Sequence, residues 1–374
     1  MSSPLHQANS EKSEYLTQQL ITYLGNKRAL LDFIGGGIKT AQKKLNKTKL
    51  KMFDVFSGSG ITARYFKQFS DLLIVNDLET YSKVINECYL SNESEIDGSM
   101  LREYHREIVA RLSANSNLVE GIIAKLYAPH DDKNIKTGER VFYTRRNAMF
   151  IDTVRQLIEK LPEDTQRYFL APLLSEASIH ANTSGVFKGF YKNSETGVGQ
   201  FGGKNQDALL RITGDITLPF PVFSNFNSDT IIYSGDSNEI IKTAPEVDVA
   251  YIDPPYNQHP YGSNYFMLNV ILDYKYPEKT SSVSGIPENW KRSVYNKEHY
   301  ALDALAFLVE NINAKYVLIS FNSEGFIGVE QMKRMLRKIG KLEVLETKYN
   351  TFRGSRNLNS RDIHVKEYLY LLEK

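Results

Sequence analysis

The chain of 374 residues has one cysteine, Cys88. A single thiol cannot close an internal disulfide or build a thiolate zinc site, and it suits a reducing compartment. The seven histidines show no H-E-x-x-H or comparable spacing, so no metal is expected. No run approaches the roughly 18 apolar residues of a membrane span. The opening stretch MSSPLHQANSEKSEY is polar and lacks an apolar signal core. The expectation is a cytoplasmic protein with no membrane partner. No repeat or low-complexity tract is visible. Excess charge is lacking too: Lys+Arg 46 against Asp+Glu 44 leaves +2, which names no partner. At 41% hydrophobic and 24% charged, the chain is neither disordered nor fibrous.

Charge is nevertheless uneven. Residues 27–51 carry eight basic side chains against Asp32 alone, and 331–374 carry eleven against five acids. The stretch 93–230 carries sixteen basic and eighteen acidic residues. Two basic ends around a near-neutral middle suggest a polyanion footprint, although a lysine-rich helix face can simply be solvated.

Hydrophobic spacing predicts a helix over 27–47, with Gly35–Gly37 as a place where it can break. A strand over 51–56 runs into the turn SGSG, followed by a helix over 61–69 and a strand over 72–75 that closes on Asp77. With a helix over 81–90, this is a βαβ unit of a parallel sheet. Helices are expected at 101–112, 118–126, 145–160 and 165–180, then a Gly- and Asn-rich loop over 185–230. Strands return at 230–233, 247–252, 316–321, 342–349 and 365–372, with helices at 237–243, 297–313 and 327–339. The residues therefore predict an α/β catalytic domain in two pieces, 1–92 and 231–374, with 93–230 as a mostly helical insertion.

Two motifs carry chemistry. In Asp54-Val55-Phe56-Ser57-Gly58-Ser59-Gly60, a strand ends in an acid and a turn whose glycines let the backbone approach a nucleotide-like ligand. GSGITA satisfies G-x-G-x-x-G/A, and Asp77 follows Gly58 at the spacing of a ribose-binding acid. That pattern fits NAD and S-adenosylmethionine alike. In Asp253-Pro254-Pro255-Tyr256, an apolar strand runs straight into a fixed carboxylate, a stiff pair of prolines and a planar ring. Acceptors beside an aromatic face suit an exocyclic amino group on a stacked base. A Pro-Pro turn capped by an acid is the bland alternative.

The order Tyr23-Leu24-Gly25-Asn26-Lys27, then DVFSGSG, then an insertion, then DPPY, resembles the Dam-type, alpha-order adenine-N6 DNA methyltransferases. The resemblance covers roughly 21–92 and 231–372. It implies a Rossmann-like, S-adenosylmethionine-dependent sheet with 93–230 as the target recognition domain. It assigns Tyr23 and Lys27 to the methionine end of the cofactor and Asp54, Phe56, Ser57, Gly58 and Gly60 to its methionine and ribose. Asp77 falls to the ribose diol, and Asp236 with Ser237 to the adenine; Asp236 also reads as a helix cap. Asp253, itself near the cofactor, and the Pro254 carbonyl would hold the target amino group, with Tyr256 stacked on the base. Asn264 and Tyr265 would support the target pocket. The resemblance also implies double-stranded DNA as partner, a flipped-out adenine, no metal, and a separately acting restriction endonuclease.

Arg353 and Arg356 in TFRGSRNLNSR would approach DNA, with Arg145, Arg146, Asn147, Lys188, Tyr191 and Lys192 as further candidate contacts. Two rival readings remain: a nicotinamide-dependent oxidoreductase, which leaves DPPY unexplained, and a DNA-binding relative without activity.

Overall fold

The computed structural model describes residues 10–113, 117–206, 208–350 and 364–374. A short helix α1 (Ser13–Thr17) leads to α2 (Leu31–Leu45), β1 (Leu50–Asp54), α3 (Ile61–Phe66), β2 (Ser70–Asp77) and α4 (Thr80–Tyr89). Next come α5 (Gly98–Leu112), α6 (Ile122–Tyr127), α7 (Arg145–Ile158), α8 (Glu163–Ile179) and α9 (Leu209–Thr213). The chain then returns through β3 (Asp229–Ser234), α10 (Ser237–Ile240), β4 (Val247–Ile252), α11 (Tyr261–Asn264) and α12 (Phe266–Asp273). It ends with α13 (Glu298–Asn311), β5 (Ala314–Asn322), α14 (Val329–Leu336), β6 (Lys341–Asn350) and β7 (His364–Glu373).

The seven strands form one sheet in the order β3-β2-β1-β4-β5-β7-β6. The first five are parallel, and β7 runs antiparallel between β5 and β6. All six residues of β4 are buried, as a central parallel strand requires. Its side chains alternate: Val249 and Tyr251 face the cluster under α2, while Ala250 and Ile252 face the cluster under α13 and α14. The strand order reverses between β1 and β4. Outside the carboxyl ends of those two strands is the crevice where an open α/β sheet binds ligands.

Helix α2 is continuous through Gly35–Gly37. The glycines are there for close approach. A Cβ on Gly35 would overlap the Tyr65 hydroxyl, and one on Gly37 would lie 2.9 Å from both Leu318 Cδ1 and Leu369 Cδ2. Dense packing against the sheet outweighs the propensity that glycine loses in a helix.

Helices α5 to α8 share one apolar cluster with α4 and α12, reaching from Tyr81 and Cys88 through Ile151 and Phe169 to Ile271. The Asp152 carboxylate ties α7 to the start of α6 by accepting from the N–H groups of Gly121, Ile123 and Ala124. In 185–230 the regular structure among the described residues is sparse: α9, the first residues of β3 and one bridge between Lys192 and Gly199. Among the described residues no helix is long and apolar enough to cross a membrane.

Candidate active site

The turn after β1 and the turn after β4 open on one cleft, with an empty volume of about 830 Å³. Its wall includes Tyr23, Lys27, Phe56, Ser57, Gly58, Asp77, Asp236, Ser237 and Asp253 from the two sequence motifs and their partners. Gly58 and Gly60 both adopt positive φ, +52° and +76°, the conformation for which glycine is suited. A Cβ on Gly58 would stand 2.8 Å from the Tyr23 ring, and one on Gly60 would stand 3.0 Å from Asn86 Oδ1. Asp77 fixes the turn by accepting the Gly58 N–H at 2.8 Å and the Glu79 N–H at 2.9 Å. Asp236 caps α10 by accepting from the Asn238 N–H at 2.9 Å and also lines the cleft.

Segment 23–27 is held over the cleft by rings. Tyr23 stacks on Tyr261 and on Tyr265, each with centroids 4.8 Å apart. The Leu24 N–H donates to the Tyr265 hydroxyl at 2.7 Å, and the Tyr261 hydroxyl donates to the Leu24 carbonyl at 3.0 Å. Gly25, with φ +74°, leaves room for two hydroxyls: a Cβ there would be 3.3 Å from Tyr256 Oη and 3.4 Å from Tyr261 Oη.

Lys27 is 4% exposed, and its ammonium lies 3.1 Å from Asp253 Oδ1 and 3.0 Å from Glu367 Oε1. Glu367, on β7, is 2% exposed and accepts from the Ser320 hydroxyl at 2.8 Å. Burial works against the Lys27 ammonium, but the two carboxylates hold its pKa well above the usual lysine value. Burial pushes Asp253 up to about 6; Lys27 opposes the rise and Glu367 adds to it. Burial likewise pushes Asp54 and Glu79 up to about 7.

Several expected positions differ. Asp54 lies behind the wall, where it accepts from the Thr62 hydroxyl at 2.6 Å and so anchors the start of α3. Lys27 lines the cleft, and its ammonium faces the side chains of Asp253 and Glu367. Asn264 and Tyr265 are buried within the scaffold, and Tyr265 acts on the 23–27 segment through Leu24. Pro254 is buried and outside the wall; Tyr256 is half-buried, also outside the wall but close to Gly25, and edge-on to Phe321 with centroids 5.7 Å apart.

The lysines of 44–49 lie where β1 begins, at the opposite edge of the sheet from the cleft. Lys44 pairs with Glu343, and Lys47 pairs with Asp248 at 2.8 Å, so this part of the basic run is not aimed at the site. Asn147 is buried and bonded to Gly214 and Ile216, which removes it from the candidate DNA contacts. Arg145 pairs with Glu120, and Arg146 with Asp215. Lys188 and Lys192 are exposed, with Lys192 over the Phe190 ring, and Tyr191 is half-buried. Arg353 and Arg356 lie outside the described residues; the strand ends on either side, Asn350 and His364, pair at the cleft's edge of the sheet.

The wall also contains residues with no local signal: Glu79, Lys291, Ser293, Tyr295 and Asn296. Tyr295 meets Phe56 edge-on with centroids 5.1 Å apart, and its hydroxyl donates to Asn238 Oδ1 at 2.7 Å. Lys291 donates to the Leu78 carbonyl at 2.7 Å. Among the described residues, no group of three or more His, Cys, Asp or Glu is arranged to hold a metal ion.

Comparison with known proteins fits this geometry. A family model described as D12 class N6 adenine-specific DNA methyltransferase matches residues 23–335. The type II methyltransferase M.NlaIII of Neisseria lactamica is 30% identical over 364 residues, which is 95% of this chain and 99% of the relative. M.CviAII of Paramecium bursaria Chlorella virus 1 is 31% identical over 358 residues, covering 94% and 98%. The modification methylase StsI of Streptococcus sanguinis is 26% identical over 368 residues, covering 94% of this chain and 52% of the relative.

Proposed function

The chain belongs to the D12 class of N6 adenine-specific DNA methyltransferases, and from that premise we propose that it uses S-adenosylmethionine to methylate adenine at a specific site in double-stranded DNA. We further propose that it is the cytoplasmic modification half of a restriction-modification pair, as its type II relatives suggest, with the endonuclease acting separately. Family membership removes the oxidoreductase reading, which rested on the Gly turn.

The observation that carries the reading is the meeting of two turns at the sheet's switch point. One is a Gly turn shaped for nucleotide approach; the other presents Asp253 to the cleft and carries Tyr256 beside Gly25 of its wall. The cleft's donor set suits adenosine. Asp77 offers a carboxylate to a diol, Asp236 an acceptor to an amine, and Phe56 with Tyr295 an apolar wall to a purine. S-adenosylmethionine bound there supplies an activated methyl on a sulfonium.

The chain's own residues then do the rest. Asp253, with Oδ1 against Lys27, keeps its second oxygen for a hydrogen of the target amino group. Ionised, it accepts more strongly and supplies a negative charge against the positive charge that develops on the nitrogen. Holding the amine in line is mainly proximity and orientation. The target adenine must leave the stack, at a cost of about a few kcal/mol. Stacking on Tyr256, worth ~1–3 kcal/mol, offsets part of it. Segment 93–230 serves as the target recognition domain.

The test is transfer of labelled methyl from S-adenosylmethionine to unmodified genomic DNA, with the product nucleosides separated. N6-methyladenine from the wild type and none from Asp253→Ala is the expected result. No transfer to any DNA by cofactor-bound protein would overturn the proposal.

A further inference from the structure

Asp253 and Lys27 already make a neutral pair, yet a third charged side chain, Glu367, is buried against them. Burying a second carboxylate at 2% exposure works against folding, because it loses water and faces Asp253. A stable interior would be served as well by a neutral side chain of that volume. The position is costly and needs a reason.

The surroundings supply one. Lys27 arrives from the segment before α2, Asp253 from the end of β4 and Glu367 from β7. Tyr251 on β4 and Tyr261 on α11 face Lys27 and Asp253, and Tyr256 faces Lys27. Asp54 at the end of β1 faces Asp253, and Tyr370 on β7 faces Glu367. Across the sheet, the Ser320 hydroxyl on β5 fixes Glu367 Oε1 at 2.8 Å. Within this immediate triad one ammonium stands against two carboxylates, which leaves one negative charge beside the cleft. The target nitrogen becomes positive as it gains the methyl, so this is the sign transfer requires.

We infer that Glu367 is a positioning residue for methyl transfer: it pins the Lys27 ammonium so that Lys27 fixes one oxygen of Asp253, and its charge keeps the site negative toward the methylated amine. This rests on the reading of Asp253 as the acceptor of the target amine. Ser320 orients Glu367, Glu367 orients Lys27, and Lys27 orients Asp253. Glu367 never touches substrate.

The experiment follows the single-turnover rate of N6-methyladenine formation across the acid limb of its pH profile. Wild type, Glu367→Gln and Glu367→Asp are compared at saturating cofactor and DNA. In Glu367→Gln, Asp253 no longer faces a like charge and ionises more readily, so the acid limb moves to lower pH. The plateau rate falls about tenfold, with cofactor and DNA dissociation constants within about twofold of wild type. Glu367→Asp keeps the wild-type limb and recovers part of the rate. In a cycle with Lys27→Met, the losses from Lys27→Met and Glu367→Gln fall short of additive, because both act through Asp253.

A Glu367→Gln protein with a lower melting temperature but an unmoved acid limb would overturn the inference, leaving Glu367 as scaffold. If Glu367→Gln does not fold, Glu367→Asp decides: a wild-type rate from the shortened carboxylate overturns the inference, and a reduced rate on a wild-type limb supports it. Failure of the parent reading looks different, since wild type itself would then form no N6-methyladenine.

Discussion

The ammonium of Lys27 lies 3.1 Å from Oδ1 of Asp253, although the two residues are far apart in sequence. Lys27 therefore opposes protonation of Asp253, the acid proposed to hold the target amine. Asp253 sits at about 6 with Lys27 opposing the rise, so removing the ammonium lets burial and Glu367 push it higher. Lys27→Met is expected to move the acid limb of the methyl-transfer rate to higher pH. Near neutral pH it should lower the rate by about tenfold to a hundredfold, as more of Asp253 holds a proton. Single-turnover rates against pH check this. A limb that stays with the wild type would show that Lys27 does not act on Asp253.

Tyr256 stands beside Gly25 of the cleft wall. Its carbonyl accepts the Phe326 N–H at 3.0 Å, and Phe321 meets the ring edge-on. These contacts hold the ring that is proposed to stack on the target base. Tyr256→Ala should lose ~1–3 kcal/mol of affinity for DNA with the target base extruded, roughly tenfold to a hundredfold in Kd. Tyr256→Phe should stay close to wild type, because stacking needs the ring. Titration of a duplex carrying 2-aminopurine at the target position reads both affinity and unstacking. Equal fluorescence and affinity for Tyr256→Ala and wild type would remove the ring from base binding.

Charge that looks alike in sequence is expected to behave differently. Lys44 and Lys47 are paired at the strand-start edge, far from the turn that carries Asp253. Arg353 and Arg356 lie on the connection whose flanking strand ends share the cleft's edge. Arg353→Ala and Arg356→Ala should each reduce the slope of log affinity against log salt by about 1, the signature of a lost phosphate contact. Lys44→Ala and Lys47→Ala should leave the slope unchanged. Binding isotherms over a salt series decide; equal slopes for all four variants would contradict the assignment.

The difference between those two groups shows where sequence reading stops. The apolar runs at β1, β4 and β5 and the turns after β1 and β4 are local patterns, so the sheet and its ligand edge were readable. Lys27 was readable as basic but not as the partner of Glu367, because β7 comes beside it only when the sheet closes. Tyr295 and Lys291 lie in an irregular stretch with no periodicity, and only folding brings them to the wall beside Phe56 and Leu78. Tyr265 carries an aromatic signal that suits a base pocket or a core equally. In the structure it is buried, stacked on Tyr23 and bonded to Leu24, so it supports the 23–27 segment from behind. Gly35–Gly37 likewise reads as a break until Tyr65, Leu318 and Leu369 are seen pressed against the helix.

That close approach is itself testable. A Cβ on Gly35 would overlap the Tyr65 hydroxyl and stand 3.1 Å from Tyr65 Cζ. Gly35→Ala should destabilise by ~1–3 kcal/mol through overpacking, against the gain in helix propensity of ~1 kcal/mol that alanine brings elsewhere. Adding Tyr65→Phe removes the clashing oxygen and should recover at least half of the loss. Gly36→Ala, with open space around the Cβ, should be neutral or stabilising. Chemical denaturation of the wild type and these variants measures it. A Gly35→Ala protein as stable as wild type would mean that α2 and Tyr65 of α3 can move apart at little cost.

Asp54 gives the stability of the protein a pH dependence of definite sign. It is fully buried, with Thr62 as its hydroxyl donor, and burial raises its carboxyl from 3.8 to about 7. A group raised in the folded state binds its proton more tightly there than when unfolded. Its contribution is complete below the unfolded value and is lost as pH rises through about 7. Asp253 and Glu79, raised to about 6 and about 7, act in the same direction. An amide at this position keeps an acceptor for Thr62 and never ionises. Asp54→Asn should therefore exceed wild type in stability near pH 8, by up to about 4 kcal/mol, since each tenfold change in proton affinity between 3.8 and about 7 is worth about 1.4 kcal/mol. The gap should narrow by about 1.4 kcal/mol between pH 8 and pH 6 and close only as pH falls to the unfolded value near 3.8. Denaturation of the cofactor-free protein at both values checks the sign. A gap independent of pH would show that Asp54 is already neutral throughout the range, or that its charge is compensated in the fold.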